Sequence, residues 1–250
     1  MENYFRIVTP VYNAEKWIEK NITSVAKQRY TNYEHIIVDD CSTDKTVEII
    51  KGLQKTNPRV TLITKPKHEG TLHSHLLGLF NAQKPASKDC IVIHLDGDDW
   101  LKGVTVLKKL NEIYQDPNIW VTYGDYSTTD GSPSICRPIN PSTSPREYIK
   151  AGWIFSHLRT FRFNVLQTLK KESLFTKESP PRLFPAAPDV ALMAPILELA
   201  GYDRVKYIND VLCVYNRDNP LGEDKSKLNM QIACAVTIAS YPPYSRLDTL

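Results

Sequence analysis

The sequence predicts an α/β fold: a central, mainly parallel sheet with helices on both faces. Three observations carry that prediction. Short apolar runs alternate with amphipathic helical patterns through the first half of the chain, as strand–helix–strand crossovers require. Polar and acidic residues gather where the apolar runs end and are scarce within them. The 250 residues, 42% hydrophobic and 24% charged, suffice for one large domain with an ample core.

Taken in order, Phe5-Arg6-Ile7-Val8-Thr9 reads as a strand stopped by Pro10. Trp17, Ile18, Ile22 and Val25 then recur at helical spacing over residues 14–28. His35-Ile36-Ile37-Val38 is a second strand ending in Asp39-Asp40, and Ser42 or Asp44 offers a cap for the helix carrying Val47, Ile49, Ile50 and Leu53. Val60-Thr61-Leu62-Ile63 is a third strand. Residues 71–82 read as a helix, with Leu72, Leu76, Leu79 and Phe80 on its apolar side. The run from Cys90 to Leu95 is a buried strand, residues 104–114 an amphipathic helix, and Trp120-Val121-Thr122-Tyr123 a further strand.

Beyond about Tyr126 the texture changes. Residues 127–145 are rich in Ser, Thr and Pro and read as a long loop, which in a compact domain usually binds something. Residues 153–163 are dense in aromatics and arginine. A second loop, 179–188, holds four prolines and leads to Asp189. Asp189 is a plausible N-cap for the helix bearing Val190, Leu192, Met193, Ile196, Leu197 and Leu199, with Pro195 expected to kink it or restart it. Residues 205–208 and 211–215 suggest a hairpin around Asn209-Asp210, and residues 225–240 a last helix.

Composition sets several functions aside. A net charge of +3 argues for neither nucleic acid nor membrane binding. No apolar run approaches the ~20 residues that span a bilayer, and the first residues run into a strand pattern without a signal-peptide pattern. Five cysteines, an odd count without Cys-x-x-Cys, suggest reduced thiols in a cytoplasmic setting, with Cys90 and Cys213 in the core. Gly-x-x-x-x-Gly-Lys, Gly-x-Gly-x-x-Gly, Gly-x-Ser-x-Gly and zinc spacings are all missing.

The residues with chemical content sit at the strand ends. Leu95-Asp96-Gly97-Asp98-Asp99 closes a buried strand with three carboxylates around one glycine. Carboxylates this close repel unless a cation lies between them, and Mg²⁺ or Mn²⁺ with a bound diphosphate would supply it. The competing reading is a polar turn with Asp99 capping the next helix. Thr9-Pro10-Val11-Tyr12-Asn13 can present backbone groups and a ring to a flat base, or be a plain turn capped by Asn13. Asp39 can accept the N3–H of uracil, or serve with its neighbours as a helix cap. His73 and His75 sit ~200° apart on a helix and cannot chelate one ion, so structural or surface roles are expected of them, and His94 is expected in the core. His68 can reach phosphate or base, and Gly70 allows a left-handed turn or close backbone approach.

Together these pieces resemble the family 2 glycosyltransferases of the GT-A fold. The match runs through Ile7-Val8-Thr9-Pro10-Val11-Tyr12-Asn13, Val38-Asp39-Asp40-Cys41-Ser42-Thr43-Asp44-Lys45-Thr46 and Leu95-Asp96-Gly97-Asp98-Asp99, in order and at fitting spacing, and covers roughly residues 4–126. The resemblance implies inverting transfer of a sugar from a nucleotide-diphosphate donor, typically a UDP-sugar, to a glycan or other hydroxyl acceptor, with Mn²⁺ or Mg²⁺ as cofactor. Residues 1–126 would form the nucleotide-sugar half and 127–250 the acceptor-binding, C-terminal helical part of one GT-A domain. Thr9, Pro10, Tyr12, Asn13, Asp39, Asp40, His68, Gly70, Asp96, Gly97 and Asp98 would hold the donor, with Asp96 at the ribose and Asp98 at the metal. Asp189 would be the catalytic base, preceded by Pro188 where a glutamate is usual. Trp153, His157, Arg159 and Arg162 are the acceptor candidates. Cys41 stands where glycine is usual, and His68-Glu69-Gly70 replaces the commoner Asn-x-Gly. Asn216, Arg217 or Lys225 would close over the diphosphate. The expected setting is cytoplasmic, with peripheral contact to a membrane allowed. The alternative on the same fold is a catalytically silent nucleotide-sugar or glycan-binding module.

Overall fold

The computed structural model describes residues 2–81 and 90–250. The chain runs β1 (Tyr4–Val11), α1 (Ile18–Ala26), β2 (Tyr33–Asp39), α2 (Thr46–Gln54), β3 (Val60–Thr64), α3 (Thr71–Phe80), β4 (Cys90–His94), β5 (Trp100–Leu101), α4 (Val106–Ile113) and β6 (Val121–Thr128). It continues with α5 (Pro145–Ala151), β7 (Arg159–Arg162), α6 (Phe163–Gln167), α7 (Pro188–Ala200), β8 (Val205–Tyr215), α8 (Glu223–Ser226) and α9 (Leu228–Ala239). The expected end of α3 at Ala82 lies outside the described residues.

One eight-stranded sheet takes the order β3-β2-β1-β4-β7-β6-β8-β5. β3, β2, β1 and β4 are parallel to one another, and β7 runs antiparallel between β4 and β6. The first strands read as near-continuous apolar runs because both their faces are covered. Ile37 packs with Ile18, Ile22 and Ile50 under α1 and α2. Ile36 and Val38 face α3, which lies so close that a Cβ on Gly78 would stand 2.6 Å from Val8 Cγ1. Burying each such Ile or Val contributes roughly 1.5–3 kcal/mol, so this double layer is a stiff base for the loops above it.

The strand order also fixes where those loops meet. From β1 the chain moves outward to β2 and β3, then returns to β4 on the other side of β1. The loops after β1 and β4 therefore leave in opposite directions and open a crevice between them. Ligands bind at such a switch point in open α/β sheets.

Residues 159–162 form β7, an internal sheet strand. Three local expectations are corrected. The hairpin around Asn209-Asp210 does not form: β8 stays beside β6 and bulges, with two steps of β6 (Gly124 to Tyr126) spanning five of β8 (Ile208 to Cys213). α7 does not restart at Pro195 but runs through it. Its N-cap is Ala187, at φ 54°, with Pro188 and Asp189 in the first turn. Asp189 is thus not spent on capping, and its carboxylate is left to face the crevice.

Candidate active site

A cleft of about 220 Å³ opens at the switch point. Its walls come from Pro10 and Val11 at the end of β1, Tyr12 just after it, Asp40 after β2, His68 in the loop before α3, and Thr71, Ser74 and His75 on α3. Asp96, Gly97 and Asp98 form its floor, with His157 before β7 and Arg159 at its start, Pro188 and Asp189 from α7, and Tyr215, Asn219, Glu223, Lys227 and Gln231 on the C-terminal side.

Close approach builds the floor. Gly97 N donates to Pro10 O at 3.1 Å, tying the β1 and β4 loops together. A Cβ at Gly97 would lie 2.8 Å from Val11 Cβ and 2.9 Å from Pro10 O, so only glycine fits. Asn21, buried in α1, donates to the backbone oxygens of Asp96 and Asp99 at 2.9 and 2.8 Å, fixing the turn from below.

The three carboxylates of that turn have different surroundings. Asp96 Oδ2 accepts from Arg159 NH2 at 3.1 Å, with His75 and His157 at 3.9 and 4.0 Å. Burial would raise its pKa, but Arg159 and then the histidines outweigh that and hold it below the ordinary value. Asp98 Oδ2 accepts from Asn219 Nδ2 at 2.6 Å, which brings the C-terminal segment onto the floor. Asp99 is fully buried and accepts from Asn216 N at 2.8 Å. Burial first, then the charges of Asp98 and Asp96, push its pKa well above the ordinary value.

Of the neighbouring candidates, Tyr12, Asp40 and His68 line the cleft, while Asp39 and Gly70 do not. The Tyr12 and His68 rings lie 4.4 Å apart at the cleft rim. Asp39 Oδ2 accepts from Ser42 N at 3.1 Å, while its buried Oδ1 has no hydrogen-bond partner. Cys41 has φ 67°, a left-handed conformation that accounts for glycine being usual there. Gly70, at φ 90°, opens α3. Asp40 is tied to Lys65 at 2.6 Å and accepts from Glu69 N and Gly70 N, so it clamps the 65–70 loop while its residue lines the cleft.

Of the other candidates, Thr9, Asn13, Trp153 and Arg162 fall elsewhere. Thr9 is fully buried and bonds His35 Nε2 at 2.9 Å, and Asn13 Oδ1 accepts from Thr43 N at 2.8 Å; both organise the loops and do not line the cleft. Trp153 packs edge-on to Phe155 on the core. Arg162 pairs with Ile91 in register, at the far end of β4, and donates to Ile119 O and Tyr114 O. The three-residue step along an antiparallel strand that brings Arg159 beside His94 carries Arg162 away. His157 is buried, stacks on Tyr215 at 4.7 Å, and burial followed by Arg159 lowers its pKa to about 3. Of the candidates for closure over the diphosphate, Asn216, Arg217 and Lys225 do not line the cleft. Their neighbour Asn219 does.

Residues not expected in the site complete it. His75 was read as structural or surface; it is buried, lines the cleft, and has an unpartnered Nδ1. Glu223 at the start of α8 accepts from Thr71 Oγ1 at 3.2 Å across the opening and pairs with Lys227 at 3.5 Å. No local pattern marks either residue, because their contacts cross the whole chain.

Asp189 faces this floor from α7. Its Oδ2 lies 3.5 Å from Arg159 NH1, so one guanidinium stands between Asp96 and Asp189. Burial raises the Asp189 pKa above the ordinary value, against the lowering by Arg159. A half-desolvated carboxylate with a raised pKa is suited to taking a proton. A second group, Asp99, His157 and Cys213, has its ligand atoms within 4.8 Å of one another. It is fully buried and includes a sulfur donor. The hard oxygens at Asp98 better fit Mn²⁺ or Mg²⁺.

A crevice floored by Asp-Gly-Asp, with a carboxylate opposite, thus stands at the switch point of the sheet. The chain belongs to glycosyl transferase family 2: the family model "Glycosyl transferase family 2" matches residues 6–170. An uncharacterized glycosyltransferase of Haemophilus influenzae is 36% identical over 124 residues, 50% of this chain and 47% of the relative. The match thus spans about half the length of that relative. Among solved structures, Staphylococcus aureus TarS 1–349 in complex with UDP-GlcNAc superposes with TM-score 0.68 at 20% identity, covering 96% of this chain and 68% of that one. Glucosyl-3-phosphoglycerate synthase from Mycobacterium tuberculosis, in complex with Mn²⁺, UDP and glucosyl-3-phosphoglycerate, gives 0.64 at 17%, covering 96% and 81%. Both share the GT-A fold with this chain.

Proposed function

We propose that the protein is a metal-dependent inverting glycosyltransferase, moving a sugar from a UDP-sugar to a glycan or other hydroxyl acceptor. The observation that carries this reading is that Asp96, Asp98 and Asp189 face one cleft from two separate elements, with Arg159 between them. Residues 1–126 supply the donor side and 127–250 most of the acceptor side. Five free cysteines fit a reducing, cytoplasmic setting. No helix among the described residues is long and apolar enough to cross a membrane.

The roles follow from the chemistry. Uracil would lie by Tyr12 and His68, with its N3–H on the unpartnered Asp39 Oδ1. The ribose would meet Asp96. Asp98, with Asn219 steadying it, would hold Mn²⁺ or Mg²⁺. The lining favours a cation: Asp40 is offset by Lys65, but Asp96, Asp98, Asp189 and Glu223 stand against Arg159 and Lys227, and a cation would offset their repulsion of a diphosphate. When bound, such an ion offsets the charge developing on the leaving diphosphate. Asp189 takes the acceptor hydroxyl's proton as that oxygen attacks the anomeric carbon from the face opposite the diphosphate. The carbon–diphosphate bond breaks in the same displacement, and the configuration inverts. General-base help of this kind is worth roughly 10²–10⁴-fold. The C-terminal wall at Glu223, Lys227 and Gln231 excludes water that would otherwise compete with the acceptor.

Calorimetry with UDP, GDP and dTDP plus Mn²⁺ tests the donor assignment, and UDP should bind tightest; tightest binding to GDP rejects uracil recognition. The silent-module alternative is separated by turnover. Wild type should release UDP from a donor sugar while Asp189→Asn binds donor and does not. A wild type that binds UDP-sugars and never turns them over would favour the silent module.

A further inference from the structure

We propose that Arg159 is the residue that positions the base: one buried guanidinium, shared between Asp96 and Asp189, fixes where Asp189 points and keeps it a carboxylate. This rests on the glycosyl-transfer reading above and assigns a role that the acceptor-binding expectation for Arg159 did not contain.

The geometry starts in the sheet. β7 enters antiparallel beside β4, so its first residue, Arg159, sits level with His94 at the ligand-binding end. From there the side chain reaches in two directions. NH2 donates to Asp96 Oδ2 at 3.1 Å, and NH1 stands 3.5 Å from Asp189 Oδ2. The side chain is 5% exposed, so neither interaction is dissolved by water. A planar fork can span two carboxylates on different elements, whereas an ammonium is a point charge. Arg159 therefore links the donor floor to the first turn of α7 and limits the rotation of Asp189.

The surrounding charges show why the link matters for ionisation. Asp189 is faced by Arg159 from β7, by Asp96 from the β4 turn, by Glu223 from α8, and by the peptide dipoles at the start of its own helix. Glu223 has its own partner in Lys227. Remove Arg159, and burial and two carboxylates all favour the protonated form of Asp189. A protonated Asp189 cannot accept the acceptor's proton. Arg159 thus sets a compromise: burial raises the proton affinity of Asp189, and the guanidinium beside it favours the carboxylate form.

The test is the pH profile of kcat/KM for wild type, Arg159→Met and Arg159→Lys, with thermal melts to confirm folding. In Arg159→Met the acid limb should move up by about one pH unit or more, the usual effect of losing an opposite charge at this range. Arg159→Lys keeps the charge and loses the fork. Its acid limb should stay within about 0.3 units of wild type, while kcat falls roughly 10–100-fold from misplacement of the base. Active wild type with an unmoved limb in Arg159→Met overturns the proposal alone. If Arg159→Met does not fold, the lysine variant decides: the fall in kcat at an unmoved limb supports the proposal, and a wild-type kcat overturns it. Absence of turnover in wild type with every UDP-sugar and Mn²⁺ overturns the glycosyl-transfer reading, and this inference with it.

Discussion

Gly97→Ala is the substitution whose effect can be worked most directly from the structure. The added Cβ would stand 2.8 Å from Val11 Cβ and Cγ2 and 2.9 Å from Pro10 O. Carbon atoms pack at roughly 3.5–4.0 Å, so the β1 and β4 loops must separate by about 0.7–1.2 Å. The obstacles are a backbone oxygen and a β-branched side chain at its Cβ, and no rotamer change clears them. Overpacking of this kind costs about 1–3 kcal/mol. The same displacement moves Pro10 and Tyr12 away from Asp98, on the order of 1 Å, and misplacement on that scale costs about 10²-fold in turnover. Denaturant unfolding and kcat/KM measured on the same preparation test both parts. Gly97→Ala with wild-type stability and turnover would refute the claim that the closeness of these two loops builds the site.

Other expectations follow from individual groups. Asp98→Ala should fold and lose metal-dependent transfer; near-normal activity in that variant would remove Asp98 from the metal site. Asp189→Asn should keep its UDP affinity by calorimetry while turnover falls roughly 10²–10⁴-fold, and a variant that instead loses donor binding would show that Asp189 is not the base. Asp99→Asn should melt close to wild type, because burial and its acidic neighbours disfavour the charged form; a large loss of stability would mean that the charged form is needed. Four buried histidines, His35 (pKa lowered to about 3), His75 (to about 4), His94 (well below its ordinary value) and His157 (to about 3), stay neutral in the folded chain and gain protons on unfolding. Their contribution to stability is present above pH ~6.5 and falls as pH drops towards 4, by about 1.4 kcal/mol per pH unit for each histidine fully titrating in the unfolded chain. Urea unfolding from pH 6 to 4.5 should show this slope, and His35→Gln should reduce it by about one proton; an unchanged slope would count against the burial argument.

What was legible in the sequence was the part that local pattern encodes. The parallel strands, their covering helices and the strand-end clusters follow from hydrophobic runs and their polar ends, and Pro10, Tyr12 and Asp96 to Asp98 lie where those ends meet. Long-range pairing was not legible. β7 hides because Arg159-Thr160-Phe161-Arg162 shows neither an apolar run nor an alternation, and its pairing partners, β4 and β6, lie far away in sequence. Arg159 and Arg162 look equivalent in that stretch, yet register alone sends one to the cleft and the other to the carbonyls of Tyr114 and Ile119. Asn209-Asp210 resembles a hairpin turn, but continued pairing with β6 turns it into a bulge. Asp189 looked like a cap; the left-handed Ala187 takes the cap position instead and leaves the carboxylate available.

The most direct test of the central claim is UDP release from a panel of UDP-sugars, measured with Mn²⁺ and with EDTA, for wild type and Asp98→Ala. The account predicts that wild type turns over at least one UDP-sugar with Mn²⁺, stops in EDTA, and that Asp98→Ala is inactive in both. Equal turnover with and without the metal, or no turnover of any UDP-sugar by wild type, would contradict it.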